Sequence, residues 1–310
     1  MRSCKIVVVG PGAVGCLFAS MFHGAGAEVW LLARTKEQAD ALRTQGVSIE
    51  RNGIVHHIPW SMVTHDATYL GTTDLVLLCV KAYDTAGAVQ NVLPAIVRNT
   101  ILVTLQNGLG HIELISQYIA PHQIVAGITA HGATRLGIGN IRHAGEGETT
   151  IGAVHPSGNT AVNKVLQIFT AAGIQTTVAA DITSALWGKL LINAAINPLT
   201  AILRIRNGEL IALPSVRDVL CAVLAEGQHV AHELGVRLPY DDPVAKVYAV
   251  CQATSDNLSS MYQDVCAGKR TEIDFINGAI VRFGTAVSVP TPVNRLLVQL
   301  VTALSAMPPR

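Results

Sequence analysis

Two groups of residues in this 310-residue chain have the types and spacing to do chemistry. The first is a glycine loop, Gly10-Pro11-Gly12-Ala13-Val14-Gly15, which fits G-x-G-x-x-G. The second is Lys189, Asn193 and Asn197, spaced i, i+4, i+8 within an otherwise apolar stretch. On a helix each four-residue step drifts by only about 40°, so all three side chains share one face. Leu190, Leu191 and Ala194 can then face the core. Buried amides without partners cost about 1–3 kcal/mol each. Such a stripe therefore needs water, a hydrogen-bond network or a small polar ligand. For Asn197 a network capping the helix ahead of Pro198 is an alternative.

A lone glycine pattern is weak, but this one follows the β-branched run Lys5–Val9, opens the helical stretch Ala13–Gly24, and precedes a second strand at Glu28–Leu32. That context marks a dinucleotide-binding βαβ unit. Gly10 permits the turn, Gly12 lets the backbone approach a pyrophosphate, and Gly15 lets helix and strand pack closely. The pyrophosphate would sit on the free N–H groups of the helix N-terminus. Sites for NAD usually carry Asp or Glu about 20 residues on, to bind the ribose 2′-hydroxyl. Here the second strand ends Leu32-Ala33-Arg34-Thr35-Lys36. Arg34, with help from Lys36, suits a 2′-phosphate, so the expected cofactor is NADPH.

The elements that must position these residues fall into two styles. Glu37–Gln45 is helical and stops at Gly46; Val47–Arg51 and Ile54–Trp60 flank Asn52-Gly53, a type I′ hairpin signal. Leu75–Val80, Ile101–Leu105 and Ile124–Ala130 are apolar runs suited to strands buried on both faces. Strands alternating with helices predict a mostly parallel sheet covered on both sides. After about Asp181 longer helical patterns take over: Val219–Leu234 stopped by Gly235, then Ala245–Cys266 and Ile273–Phe283. The expected organisation is α/β: a Rossmann dinucleotide-binding domain over residues 1–180, then an all-helical domain over 181–310, with the boundary near Ala179–Thr183. The tail from Met307 to Arg310 is expected to fray.

Half of the residues are apolar, 14% are charged, and the net charge is +1 with no long run of one sign. That argues against a nucleic-acid binder, which needs a clustered basic face, and against a membrane-surface protein. The six cysteines form no C-x-x-C pair and read as small buried hydrophobes in a reducing compartment; Cys266, beside Ala267-Gly268, is the one candidate for reactivity. No signal-peptide pattern follows Met1. The apolar stretch Leu190–Leu203 is interrupted by polar residues and is too short to span a bilayer. A cytoplasmic protein is expected. No metal site is expected: His56-His57 point to opposite faces of a strand, and His229 and His232 lack a third ligand.

Several blocks occur together in order: the glycine loop, Val80-Lys81-Ala82, Gln106-Asn107-Gly108, Trp187-Gly188-Lys189-Leu190 with Asn193 and Asn197-Pro198-Leu199-Thr200, Asn207-Gly208-Glu209-Leu210, Ser259-Ser260-Met261, and Thr271-Glu272-Ile273-Asp274 with Asn277-Gly278. On these blocks the chain resembles the ketopantoate reductase (2-dehydropantoate 2-reductase) family over nearly its whole length. The resemblance implies NADPH-dependent reduction of 2-dehydropantoate to (R)-pantoate, a step toward pantothenate and coenzyme A. It implies a Rossmann domain followed by a helical domain, with the site in the cleft between, and needs no metal. Reducing a ketone takes a hydride and a proton, and Lys189 is the best general acid, the role the family also implies for this lysine. His131 is the local competitor, read here as a polar residue closing a strand.

By the same resemblance Ser260, Asn193, Asn197 and Asn207 anchor the substrate. Asn257 lies i, i+3 from Ser260, and on one helix the two would share a face. Lys81, Asn107 and the backbone at Ala133 would contact the cofactor. Lys81 is expected to end the third parallel strand of the Rossmann core, and Asn107 takes the same kind of position after Ile101–Leu105; ligands bind at such carboxyl ends. Asn107 can also be a plain turn residue before Gly108. Glu272 would serve at both cofactor and substrate. Its competing reading is local: Thr271 as a helix cap with Asp274 at the third position, and Glu272 merely complementing the dipole. Two other functions stay open, a reductase of another branched 2-keto acid and a non-catalytic redox sensor. A sensor has no use for Lys189, Asn193, Ser260 and Glu272. Oligomeric state is left open.

Overall fold

The computed structural model describes residues 4–307. The expected fraying of the tail falls largely on residues 308–310, outside the described residues. The chain forms two compact units. One comprises residues 1–106 and 111–182; the other comprises 107–110 and 183–310.

The first unit contains the strands β1 (Lys5–Val9), β2 (Glu28–Leu32), β3 (Val47–Arg51), β4 (Ile54–Ile58), β5 (Val63–Thr64), β6 (Leu75–Leu78), β7 (Ile101–Thr104), β8 (Ile124–Thr129), β9 (Gly132–Arg135), β10 (Asn140–Gly145), β11 (Thr149–Ala153) and β12 (Thr176–Val178). Its helices are α1 (Ala13–Gly24), α2 (Lys36–Gln45), α3 (Thr85–Val92), α4 (His111–Ser116) and α5 (Asn159–Ala171). The main sheet has the order β12-β11-β8-β7-β6-β1-β2-β5. Its pairings are parallel except β11 with β8. The expected mostly parallel sheet is present, and β1, which leads into the glycine loop, lies inside it between β6 and β2.

Strand alternation divides the core of this unit in two. Ile6, Val8, Leu75 and Leu77 join one buried cluster; Val7, Val9, Val76 and Leu78 join the other. α1 packs on the first through Phe18 and Phe22, whose rings meet Phe169 of α5. Val89 and Val92 of α3 and Ile115 of α4 pack on the second. The hairpin at Asn52-Gly53 has positive φ at both residues, 51° and 78°, as a type I′ turn requires. It joins β3 to β4 in a smaller sheet ordered β4-β3-β10-β9. Sequence patterning misses β9, β10, β11 and β12, which are short, polar or glycine-broken.

The second unit is helical: α6 (Ile182–Leu203, all but its first residue), α7 (Asn207–Leu210), α8 (Pro214–Glu233), α9 (Pro243–Ala253), α10 (Ser260–Cys266), α11 (Asn277–Ala286) and α12 (Pro292–Ala306). α6 is longer than the expected apolar run. It is long and apolar enough to cross a membrane, yet most of it is buried within the fold. Leu190, Leu191, Ala194 and Ala195 of α6 are buried with Leu220, Val223 and Leu224 of α8. Gly227 lets α8 approach α6, since a Cβ there would lie 2.4 Å from Leu191 Cδ2.

Three local expectations need correction. Ala245–Cys266 is two helices, because the chain breaks between Ala253 and Ser260. The carbonyls of Ser255 and Asn257 in the break accept the N–H groups of Gly208 and Asn207, and Ser259 Oγ caps α10 by accepting from Tyr262 N–H. Asn257 and Ser260 therefore do not share one helix face. Thr271 is not a cap: a short 3₁₀ turn, Ile273–Phe275, has Glu272 at its N-cap with no side-chain cap bond, and α11 begins only at Asn277. Asp274 instead accepts from Arg270. Finally, α6 is not capped ahead of Pro198 but continues to Leu203 with the proline inside it.

Pro198 has no N–H to offer the carbonyl of Ala194, four residues earlier. Asn277 Nδ2 donates to that carbonyl at 3.0 Å instead. The same amide nitrogen donates to Asn294 Oδ1 at 3.0 Å. Asn294 Nδ2 donates to Val223 O and Glu226 Oε2, and the Glu226 carboxylate accepts the N–H groups of Val293 and Asn294 at the start of α12. Asn277→Ala should thus lower stability by about 2–3 kcal/mol. In a Pro198→Ala background the same change should cost less, because the substituted residue regains a backbone N–H that can donate to the Ala194 carbonyl. Urea-unfolding midpoints followed by circular dichroism read both; equal losses in the two backgrounds would refute the account.

Candidate active site

The glycine loop closes the C-terminal end of β1. Gly10 sits at φ +86°, and a Cβ on it would collide with Val80, which follows β6. A Cβ on Gly15 would lie 2.3 Å from Gly10 O, so α1 can approach the loop only with glycine there. Gly12 differs: a Cβ on it would meet nothing within 4 Å. It is the N-cap of α1 and makes no side-chain cap bond. The first intrahelical bond is Cys16 N–H to Gly12 O, so the N–H groups of Ala13, Val14 and Gly15 precede the ladder. Open space over a helix N-terminus with no acidic residue in its first turn fits the pyrophosphate of a dinucleotide.

The turns after β2 and β6 meet beside this loop. Gly10 N–H donates to Leu32 O and Cys79 N–H to Val9 O. Arg34 follows β2 with its side chain 77% exposed, and its Nη1 lies 3.2 Å from Asp84 Oδ2. Lys36 opens α2, which Thr35 caps by accepting from Gln38 N–H. Lys81 does not end β6, as the sequence suggests, but lies three residues beyond it as the N-cap of a 3₁₀ turn. Sequence reasoning misses what fixes this turn. Gln106 is buried, and its Nε2 donates to Val80 O and to Thr85 Oγ1 while Thr104 Oγ1 donates to its Oε1. Asp84 escapes it too, standing 50 positions from Arg34.

Ala133 lies in β9 and packs against the α1 side of the core. His131 lies between β8 and β9, edge-on to Phe18, with Nδ1 3.2 Å from His143 Nε2. Burial and then the neighbouring His143 push its pKa down. Asn107 belongs with the second unit: Gly108 presses on Phe275, and Leu109 N–H donates to Phe275 O. Among the described residues no group of three or more His, Cys, Asp or Glu is placed to hold a metal ion.

In the second unit α6 carries Lys189, Asn193 and Asn197 in the expected i, i+4, i+8 register. Burial pulls the Lys189 ammonium down to about 8, and the charge of Glu272 opposes that shift. Glu272, 6% exposed, and Lys189 thus form an electrostatic pair from residues 83 positions apart in sequence. Asn197 and Asn207 are buried. Asn207 Nδ2 donates to Thr254 Oγ1, while its Oδ1 is buried with no hydrogen-bond partner. Asn257 and Ser260 are exposed. Ser259, not singled out from sequence, is buried next to Ser260 in the chain and accepts from Thr200 Oγ1 at 2.7 Å. A buried ammonium of lowered pKa coupled to a carboxylate can give a proton, and a buried amide oxygen without a partner can accept a hydrogen bond from a hydroxyl.

The first unit, with its glycine loop on a central strand of a mostly parallel sheet, is a Rossmann-type dinucleotide-binding fold, and the second is a helical unit of the kind that accompanies it in nicotinamide-dependent oxidoreductases. The family model described as ketopantoate reductase PanE/ApbA matches residues 6–156, and the one for the C-terminal part of that family matches residues 181–305. The chain belongs to the ketopantoate reductase family. It is 35% identical to the 2-dehydropantoate 2-reductase of Halobacterium salinarum over 297 residues, 96% of this chain and 97% of that protein. The crystal structure of a PanE/ApbA family ketopantoate reductase from Ralstonia eutropha superposes with a TM-score of 0.87 at 33% identity, covering 97% and 98% of the two chains. A ternary structure of D-mandelate dehydrogenase with NADH and anilino(oxo)acetate gives 0.90 at 26% identity, with the same coverage.

The two glycines of the loop should respond differently to a methyl group. Gly12→Ala should leave the unfolding midpoint nearly unchanged and weaken dinucleotide binding tenfold or more, an order-of-magnitude figure for steric loss of about 1.4 kcal/mol. Gly15→Ala should lower stability itself, by about 1–3 kcal/mol. Thermal unfolding and fluorescence titration separate the two; equal behaviour would contradict the geometry.

Proposed function

We propose that this chain catalyses the NADPH-dependent reduction of 2-dehydropantoate to (R)-pantoate, on the route to pantothenate and coenzyme A. The observation that carries the reading is the α6 face: a buried lysine whose pKa is pulled down to about 8 and partly restored by Glu272, in line with Asn193 and Asn197. Gly10, Pro11, Gly12, Ala13, Val14 and Gly15 would cradle the pyrophosphate, with Arg34 on the 2′-phosphate and Lys81, Asn107 and the backbone at Ala133 along the rest of the dinucleotide. When bound, the reduced nicotinamide supplies a hydride to the ketone carbon.

Lys189 acts as the general acid: its ammonium gives a proton to the carbonyl oxygen and stabilises the charge developing there. Glu272 keeps that ammonium protonated to higher pH than burial alone would allow. Asn193, Asn197, Asn207, Asn257 and Ser260 hold the substrate's carboxylate and hydroxyl. The orphaned Asn207 Oδ1 supports this role, since a buried acceptor without a donor is costly and a substrate hydroxyl supplies one. A second reading, reduction of a different 2-keto acid, is favoured by the likeness to D-mandelate dehydrogenase solved with anilino(oxo)acetate.

NADPH oxidation by the purified protein against a panel of 2-keto acids tests both readings. Fastest turnover with 2-dehydropantoate is expected; fast turnover with another acid and none with this one would overturn the first reading. The pH profile provides a sharper check. Lys189 is charged below about 8, so kcat should fall as pH rises through that value. Glu272→Gln removes the interaction that raises the lysine's pKa, and should shift the alkaline limb to lower pH. A limb that stays in place would break the link between the two residues.

A further inference from the structure

The absence of an acidic residue at the end of β2 is what points to NADPH, yet the fold brings a carboxylate to that place from elsewhere in the chain. Asp84, in the turn after β6, lies 3.2 Å from the guanidinium of Arg34. We propose that Asp84 is a specificity-determining residue that narrows the preference of this protein for NADPH over NADH. The inference rests on the reading of Arg34 as the 2′-phosphate group's partner.

Three observations carry it. First, the position of Asp84 is fixed. Its N–H donates to Lys81 O, and the adjoining Thr85 is buried and held by Ala82 O and by Gln106. The backbone is thus held in place, and the short aspartate side chain keeps its carboxylate in the neighbourhood of Arg34 whichever rotamer it takes. Second, Arg34 is free to turn toward one: its side chain is 77% exposed against 33% for Asp84. An exposed ion pair is worth only about 0–1 kcal/mol, so the guanidinium can engage a phosphate. Third, the charges are asymmetric. A 2′-phosphate carries about −1.5 to −2 at neutral pH and would share Arg34 with a fixed negative neighbour. A 2′-hydroxyl has no such conflict and can donate to the carboxylate, the interaction acidic residues make in NAD sites. Glu37 is also close in sequence, but it lies in the first turn of α2 and bonds there to Thr35 and its own backbone N–H.

Equilibrium titration of the full-length protein with NADPH and with NADH, followed by nicotinamide fluorescence, tests this. Asp84→Asn should tighten NADPH about two- to fivefold and leave NADH unchanged or weaker. The gain should shrink as salt is raised. Glu37→Gln serves as the control for net charge and should leave the ratio of affinities in place. NADPH binding that is unchanged or weakened in Asp84→Asn would overturn the proposal, assigning Asp84 instead to holding Arg34 ready. An equal gain in Glu37→Gln would also overturn it. Arg34→Ala separates the two levels. If NADPH binding is lost there with no gain in Asp84→Asn, this inference alone fails. If NADPH binding is untouched in Arg34→Ala, the reading of Arg34 fails and the inference with it.

Discussion

A buried carbonyl oxygen must be given a hydrogen bond, and at Ala194 the helix itself cannot give one. Four helices of the second unit, α6, α8, α11 and α12, meet at that requirement. Asn277 answers it from α11, Asn294 of α12 accepts from Asn277, and Glu226 of α8 accepts from the start of α12. Three helices are thereby registered against α6, the element that carries Lys189, Asn193 and Asn197. The first unit meets a similar need in a similar way. Val80 O, just past β6, receives its hydrogen bond from the buried amide of Gln106. In both units a neutral amide from a distant stretch of chain replaces a donor that local secondary structure does not supply, and in both the segment so held carries residues of the candidate site.

The glycine loop meets a different constraint. Gly10 and Gly15 are required by contact, with Val80 and with each other, whereas Gly12 is bounded by open space. Only the last of these opens outward; the other two let strand and helix come close together. The dinucleotide fingerprint thus combines two packing demands with one open approach to the helix N-terminus.

The parts of the fold legible in sequence are those with strong local rules. Parallel strands buried on both faces are continuous apolar runs, so the sequence places β1, β2, β6, β7 and β8 nearly at their observed limits. The Asn52-Gly53 turn has its own chemistry. The polar stripe of α6 follows from helical periodicity alone. What sequence reasoning misses depends on distant partners. β9 and β10 contain too few apolar residues to alternate clearly. The break after Ala253 has no proline; α7 occupies the carbonyls of Ser255 and Asn257, and nothing near residue 253 announces it. Glu272 reads locally as part of a helix start, and only its electrostatic coupling to Lys189 sets it in the candidate site. Asp84 carries no local signal at all, since its meaning comes from Arg34.

The position of Lys189 also bears on how firmly the protein holds together. Its pKa is about 8 in the folded chain, below the ordinary lysine value of 10.5. Between those two values the unfolded chain binds more protons, so unfolding becomes harder as pH rises through that window. Below it the folded state carries the full penalty of a charge partly withdrawn from water. The fold is therefore less stable at neutral pH than its packing alone would make it. An anion settling beside the ammonium would return part of that loss, so ligand binding and global stability draw on the same residue.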